Sequence, residues 1–250
     1  MAKTSIFTHT QSEWRPPVVR NVQSVSTVML DDREKEGLLQ DVRDFLASSQ
    51  EEHRDIRHRR CYLFHGPTGT GKTCLALSIA GCFGLDTYIT ELSVNDSSLT
   101  ALFTKAPGSC VILLEDVENA EPEPPQGAAS LSTLLDAIDS TGDGHVIIMT
   151  TRHLELVDNA LTSRVDVKTE FRLANKEMIS RLFRFAFQEH EAVDLLAYQF
   201  ATKIPELEFS PAEVMSFLAG NFLSPEQALS EAEKWMATVR YERGKMKGGV

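Results

Sequence analysis

One octapeptide constrains this chain more than any other feature. Gly66-Pro67-Thr68-Gly69-Thr70-Gly71-Lys72-Thr73 follows the pattern G-x-x-x-x-G-K-[ST] in full. The apolar run Tyr62-Leu63-Phe64 precedes it, and a helix-forming stretch from Cys74 to Ala80 follows. Strand, glycine-rich turn and helix N-terminus in that order let successive backbone N–H groups converge on an anion. In such a loop Lys72 reaches the β- and γ-phosphates of a nucleotide and the Thr73 hydroxyl ligates Mg²⁺. Gly66 to Thr73 are therefore the candidate nucleotide-binding residues. No N-K-x-D run is present to read guanine, which disfavours GTP. The loop alone does not name a reaction, because many unrelated activities share it.

The surrounding pattern agrees with that loop. Five short apolar runs, Cys61–Phe64, Thr87–Ile89, Cys110–Leu114, Val146–Met149 and Val167–Phe171, alternate with helical stretches. This spacing predicts an α/β fold, a five-stranded parallel sheet with flanking helices. Ligands of such sheets bind at the carboxyl ends of the strands. Asp31–Ser48 reads as a charged amphipathic helix. Residues 118–125, with Glu118, Glu121 and Glu123 among Pro122, Pro124 and Pro125, read as an acidic loop.

Beyond Leu173 the pattern is all helical. Asn175 is placed to cap a helix carrying Met178, Leu182, Phe183 and Phe187. Ser210-Pro211-Ala212-Glu213 and Ser224-Pro225-Glu226-Gln227 read as capping boxes with proline at the first helical position. The expected organisation is an extended arm or remnant of an upstream domain over 1–27 and a nucleotide-binding domain over 28–173. A small helical lid domain over 174–243 and a flexible tail over 244–250 complete it.

A second site feature lies about 40 residues beyond the loop. Val111-Ile112-Leu113-Leu114 runs directly into Glu115-Asp116. Four apolar residues ending in adjacent carboxylates describe a buried central strand that delivers acids beside the phosphate loop. One acid would hold Mg²⁺ through water and the other would orient an attacking water. Thr73 and Glu115 are the candidate metal-side residues.

Composition narrows the partners. Lys and Arg total 25 against 36 Asp and Glu, a net charge of −11, so nucleic acid is not expected as a partner. The basic cluster Arg54, Arg57, Arg59 and Arg60, with His53 and His58, reads as a solvated turn. Cys61, Cys74, Cys82 and Cys110 form no C-x-x-C pair, and three lie in segments expected to be buried. That pattern suggests reduced thiols in an intracellular compartment and makes zinc unexpected. The longest apolar run, Cys110–Leu114, is far below the roughly 18 residues of a membrane span. The N-terminus lacks the apolar stretch of a secretory signal.

From Trp14 to Met236 the chain resembles the AAA+ ATPases. The likeness rests on Arg59–His65 leading into the phosphate loop, on Val111–Val117, on His145-Val146-Ile147-Ile148-Met149-Thr150-Thr151 and on Ser163-Arg164-Val165-Asp166. Most AAA+ proteins end the central strand in Asp-Glu. Glu-Asp, as at Glu115-Asp116, is similar to the subfamily of the mitochondrial inner-membrane AAA chaperone for the Rieske iron–sulfur protein and its fungal paralogues. Ser26–Asp31 also resembles that subfamily's entry to the ATPase domain. The resemblance implies an ATP- and Mg²⁺-dependent ring oligomer acting on a protein client, with ATP between subunits. Arg164 matches the second arginine of the family's R-P-G-R-[IV]-D run, so it is the candidate arginine finger. The resemblance also implies pore-facing elements near Phe103 to Pro107, although Phe103 itself reads first as a core residue. Location stays open between cytoplasm and mitochondrion, because the relatives' anchor is absent from this sequence.

Two departures keep a second reading open. Leu161-Thr162-Ser163-Arg164 lacks the upstream arginine and its Pro-Gly, and Arg152 stands where the family places a polar sensor, usually Asn. Arg152 can contact a γ-phosphate but cannot accept a proton from water. The leading expectation is an ATP hydrolase with Glu115, Asp116, Arg152 and Arg164 as catalytic residues, its activity open to impairment. The alternatives are an ATP-binding scaffold with weak or no hydrolysis and, less favoured, a P-loop small-molecule kinase.

Overall fold

The computed structural model describes residues 3–21, 24–48, 59–142 and 144–247. They divide into two compact units, one running up to Gly66 and then over Lys72–Phe171, the other comprising Pro67–Gly71 and the residues from Arg172 onward. The first unit opens with β1 (Lys3–Phe7), β2 (His9–Thr10), β3 (Glu13–Trp14) and β4 (Val18–Asn21), followed by α1 (Asp32–Ser48). Then come β5 (Arg59–His65), α2 (Lys72–Phe83), β6 (Thr87–Glu91), α3 (Asp96–Lys105) and β7 (Val111–Glu115). It closes with α4 (Leu131–Ser140), β8 (His145–Thr151), α5 (Asn159–Thr162) and β9 (Val167–Glu170).

The strands of the main sheet lie in the order β4-β1-β6-β7-β8-β5-β9. All neighbours pair in parallel except β1 with β4. The five expected strands lie together in it, and β1 adds a sixth parallel strand beside β6. The central ones are buried on both faces, as their unbroken apolar runs require. Alternate side chains feed two separate cores. Leu63, Ile112, Leu114, Ile147 and Met149 meet Leu99, Phe103 of α3 and Leu134, Ile138 of α4. Tyr62, Phe64, Val111, Leu113, Val146 and Ile148 meet Val42, Phe45 of α1 and Leu75, Ile79 of α2. Truncating one of these fully buried aliphatic side chains to alanine costs about 2–5 kcal/mol.

The expected arm is more ordered than its composition suggests. β1 lies beside β6, with Ile6 opposite Thr87 and Phe7 opposite Tyr88, and β4 pairs with β1. Phe7 stacks on Tyr88 at 4.4 Å between ring centres, and the Trp14 indole N–H donates to the Leu102 carbonyl at 3.1 Å. These contacts bridge some 80 residues of sequence, so local periodicity could not reveal them.

Other expectations need correction. Cys61 and Cys110 are buried, but Cys74, in the helical stretch after the loop, is exposed on α2. Phe103, by contrast, is buried in the core as its core reading has it. Arg59 and Arg60 are half-buried and paired rather than a free solvated turn: Arg59 donates to Asp139 at 2.9 Å, and Arg60 forks onto Asp41. His53, Arg54, Arg57 and His58 lie outside the described residues. No described helix is long and apolar enough to cross a membrane.

The second unit holds α6 (Lys176–Ala186), α7 (Val193–Lys203), α8 (Pro211–Gly220) and α9 (Pro225–Lys247). Residues 244–247 are thus helical, and 248–250 lie outside the described residues. The Asn175 side chain accepts from the Met178 N–H at 2.8 Å, as expected of a cap. Ser210 and Glu213 form a reciprocal capping box, and Arg243 forks onto Glu213. Phe183, Phe187, Phe200, Phe209, Phe217 and Trp235 make a chain of ring contacts through the interior. Within this unit the Ala212 N–H donates to the Gly69 carbonyl at 3.1 Å. A Cβ on Gly69 would come within 2.8 Å of Ser210 Oγ, at a backbone φ of +78° that already favours glycine.

Candidate functional site

The order of the parallel strands reverses at β5, whose parallel neighbours are β8 and β9 while the next strand in sequence, β6, lies beyond β8 and β7. The chain leaves the carboxyl end of β5 at this switch point and enters the phosphate loop, where an open α/β sheet places its ligand. Gly66 adopts φ +135°, and a Cβ there would lie 1.9 Å from the Phe171 carbonyl oxygen. Only glycine fits. The Thr70 hydroxyl donates to the Pro67 carbonyl at 2.7 Å, and the Lys72 ammonium to the Gly66 carbonyl at 2.6 Å. α2 begins at Lys72, so its first turn presents N–H groups that no intrahelical carbonyl can reach.

β7 delivers the acids. The Thr73 hydroxyl donates to Glu115 Oε1 at 2.7 Å, joining the first turn of α2 to the end of the central strand. Asp116 follows in the left-handed region, φ 53° and ψ 51°. Such a conformation at a non-glycine residue costs on the order of 1–3 kcal/mol and persists only where its surroundings hold it. Here the Asp116 N–H contacts Thr150 Oγ1 at 3.4 Å. The kink ends β7 and turns the Asp116 carboxylate outward, half-exposed. Beyond it a cleft of about 350 Å³ is lined by Glu91, Ser93, Glu115, Asp116 and Glu121.

Arg152, at the carboxyl end of β8, faces the same acids. Its Nε lies 3.2 Å from Glu118 Oε1 and 3.5 Å from Asp116 Oδ1, and its backbone N–H also donates to Glu118 Oε1. Glu118 was not anticipated as a site residue. Instead of a solvated loop acid it sits in a short 3-10 turn with a side chain only 4% exposed. Burial pushes its carboxyl up, but the hydrogen bonds it receives, those of Arg152 among them, outweigh this and hold it below the usual carboxylate range. Burial lowers the Lys72 pKa; the charges of Asp116 and Glu118 oppose that shift and Arg152 reinforces it. Lys72, Asp116, Glu118 and Arg152 thus share one electrostatic field. The missing signal was a pairing rule: an arginine in place of an amide at a strand end beside acids needs a counter-charge, and Glu118 is two residues past Asp116.

Arg164 is elsewhere. The Asp166 N–H donates to the Cys61 carbonyl at 2.9 Å, which puts this segment at the amino end of β5. Four residue steps along the strand, about 13 Å at 3.3 Å each, separate Cys61 from His65 at the mouth of the loop. The Arg164 guanidinium grips Asp139 with Nε at 2.9 and 3.0 Å, and its Nη1 donates to the Ala160 carbonyl at 2.8 Å. The structure therefore brings together Lys72, Thr73, Glu115, Asp116 and Arg152, and keeps Arg164 apart from them.

Residues 62–173 match the family described as "ATPase family associated with various cellular activities (AAA)". The chain carries an AAA domain. It is 33% identical to the "Probable mitochondrial chaperone bcs1" of Schizosaccharomyces pombe, over 93% of this chain and 55% of that one. It is 31% identical to the "Mitochondrial chaperone BCS1" of Bos taurus, over 92% of this chain and 60% of that one. It is 30% identical to the "Probable mitochondrial chaperone BCS1-A" of Dictyostelium discoideum, over 86% and 55%. The chain thus spans 55–60% of the length of these relatives. Among solved structures, a point mutant of Thermotoga maritima RuvB superimposes with a TM-score of 0.59 at 15% identity, over 80% of this chain and 65% of that one. That likeness supports the AAA-type α/β fold with its following helices. The chain is an AAA+ protein similar to the BCS1 chaperones, and its AAA domain is of the ATPase type.

Proposed function

We infer that this chain binds Mg-ATP on Gly66–Thr73 and hydrolyses it, in a ring of like subunits, to remodel or translocate a protein client. The observation that carries this reading is the 2.7 Å approach of the Thr73 hydroxyl to Glu115. Both groups are hard oxygen donors. Their hydrogen bond sets them side by side at the mouth of the loop, where Thr73 would ligate Mg²⁺ and Glu115 would hold one of its waters. The bound ion would neutralise phosphate charge.

The remaining work falls to the chain itself. The loop N–H groups and the α2 N-terminus hold the phosphates, and Lys72 sets its charge on the β- and γ-oxygens. Asp116, turned outward by its left-handed backbone, orients the attacking water. Arg152 takes up charge on the terminal phosphate. Arg164, at the opposite end of β5 from the loop, is out of reach of its own subunit's nucleotide, which supports a role on a neighbour's. The relatives' names support a protein client and a mitochondrial setting.

One observation favours the scaffold alternative. The 3.5 Å approach of Arg152 to Asp116 ties up the acid that should orient water. Mg-dependent ATP turnover separates the two readings: hydrolysis in the wild type, lost in Lys72→Ala, supports an ATPase. Tight ATP binding without turnover supports the scaffold.

A further inference from the structure

We propose that Arg243, near the end of α9, is a positioning residue for the phosphate loop. It acts through Glu213 on the first turn of α8, whose Ala212 N–H fixes the Gly69–Thr70 peptide for a nucleotide. The proposal rests on the reading of Gly66–Thr73 as a nucleotide site.

The loop end of this relay is a single backbone bond. The first N–H groups of a helix have no intrahelical partner, and that of Ala212 donates to the Gly69 carbonyl at 3.1 Å. No described peptide bond is cis, so the Gly69 carbonyl and the Thr70 N–H point in opposite directions. Pinning the carbonyl on α8 therefore turns the Thr70 N–H to the other side of the peptide. That N–H has no partner among the described residues, although Thr70 is only 1% exposed. A buried donor without a partner is costly, and loop N–H groups of this kind cradle the α- and β-phosphates of a nucleotide. The two segments leave no slack between them: a Cβ on Gly69 would also lie 3.3 Å from the Ala212 Cβ.

The other end holds that first turn in place. Pro211 has no N–H, so Ala212 carries the first donor of α8. Glu213 Oε2 accepts the Ser210 N–H at 2.8 Å and the Ser210 hydroxyl at 2.9 Å. Arg243 Nη2 donates to both Glu213 oxygens, at 2.7 and 2.8 Å, and its Nη1 donates to the Glu208 carbonyl at 3.0 Å. Its guanidinium carbon also lies 5.3 Å from the centre of the Phe209 ring. One side chain thus grips the chain on both sides of the Ser210 cap. Burial pushes the Glu213 carboxyl up, but the bonds from Ser210 and Arg243 outweigh this and hold it below the usual carboxylate range. Arg240, about one turn earlier on α9, bonds only the Glu208 side chain and leaves the box alone.

The test titrates a fluorescent non-hydrolysable ATP analogue and fluorescent ADP onto the full chain. Arg243→Gln should weaken both by about threefold to tenfold, the worth of one hydrogen bond. The two losses should be equal, because both nucleotides carry the α- and β-phosphates. Arg243→Lys keeps the charge beside Glu213 but not the fork, and should recover part of the loss. Arg240→Gln removes a comparable ion pair from the same helix and should bind both nucleotides as the wild type does. Replacing Ala212 with lactic acid exchanges its N–H for an ester oxygen and should give the same loss as Arg243→Gln, with no further loss when the two are combined. Unchanged affinity in Arg243→Gln or in the ester would overturn the proposal. So would additive losses, a loss confined to the triphosphate, no recovery by lysine, or an equal loss in Arg240→Gln. If Lys72→Ala binds both nucleotides as the wild type does, the nucleotide site itself is wrong. If Lys72→Ala loses both while Arg243→Gln keeps them, only the positioning role fails.

Discussion

The two ends of the parallel sheet carry similar charges and treat them in opposite ways. At the amino ends Arg59 and Arg164 converge on Asp139, and Arg60 forks onto Asp41, which also accepts from the Tyr62 hydroxyl. Hydrogen bonding from Arg164 holds the Asp139 carboxyl below its usual range. At the carboxyl ends the acids outnumber their partners, Asp116 sits in a strained backbone, and Arg152 keeps two nitrogens open. Within one subunit, the first end closes its charges on one another and the second leaves them open to a ligand. Violations of local preference that persist without an internal partner are expected at functional sites.

Mutations at the two ends should therefore differ in kind. Lys72→Ala should remove ATP binding and leave no measurable turnover, checked by nucleotide titration and phosphate release. Arg164→Ala should lower turnover by about 10³-fold or more in assembled protein, the scale of an arginine finger. An equal loss in dilute monomer would show that Arg164 does not act on a neighbour. Asp116→Asn should keep ATP affinity but slow hydrolysis by about 10²–10⁴-fold, the range for loss of a positioned acid–base group. A thermal melt of the same variant should show no loss of stability, because the half-exposed carboxylate has no structural partner other than Arg152 among the described residues.

Asp139→Asn, at the other end, should show the smallest effect. Exposed and half-exposed ion pairs contribute about 0–1 kcal/mol, so its melting point should fall only slightly. The pH dependence has a definite sign. A carboxyl whose folded-state pKa is depressed contributes stability above its unfolded value near 4, and that contribution fades as pH falls through the folded value. Wild type and Asp139→Asn should therefore differ at neutral pH and converge in acid. A gap that widens on acidification would break the assignment of Asp139 as a structural anion.

What was legible in the sequence follows the same division. The phosphate loop and Glu115-Asp116 are short contiguous patterns whose chemistry is fixed by neighbours in sequence. The five strands β5 to β9 were visible because each carries a short, mostly apolar run. β1 and β4 were not, because β1 is held by pairing to β6 and by Trp14 and Phe7 packing far along the chain, and β4 pairs only with β1. Cys74 was misjudged because α2 is apolar on average and its exposed positions show only in three dimensions. Glu118 was hidden by its proline-rich surroundings, which suggested a solvated loop and gave no hint of a partner 34 residues away.

Mg-dependent ATP turnover per subunit, measured from dilute to concentrated protein, addresses the central claim most directly. Turnover should rise as subunits assemble and Arg164 meets a neighbour's nucleotide. Turnover per subunit that stays constant across that range, or ATP binding with no hydrolysis at any concentration, would contradict a shared-site ATPase.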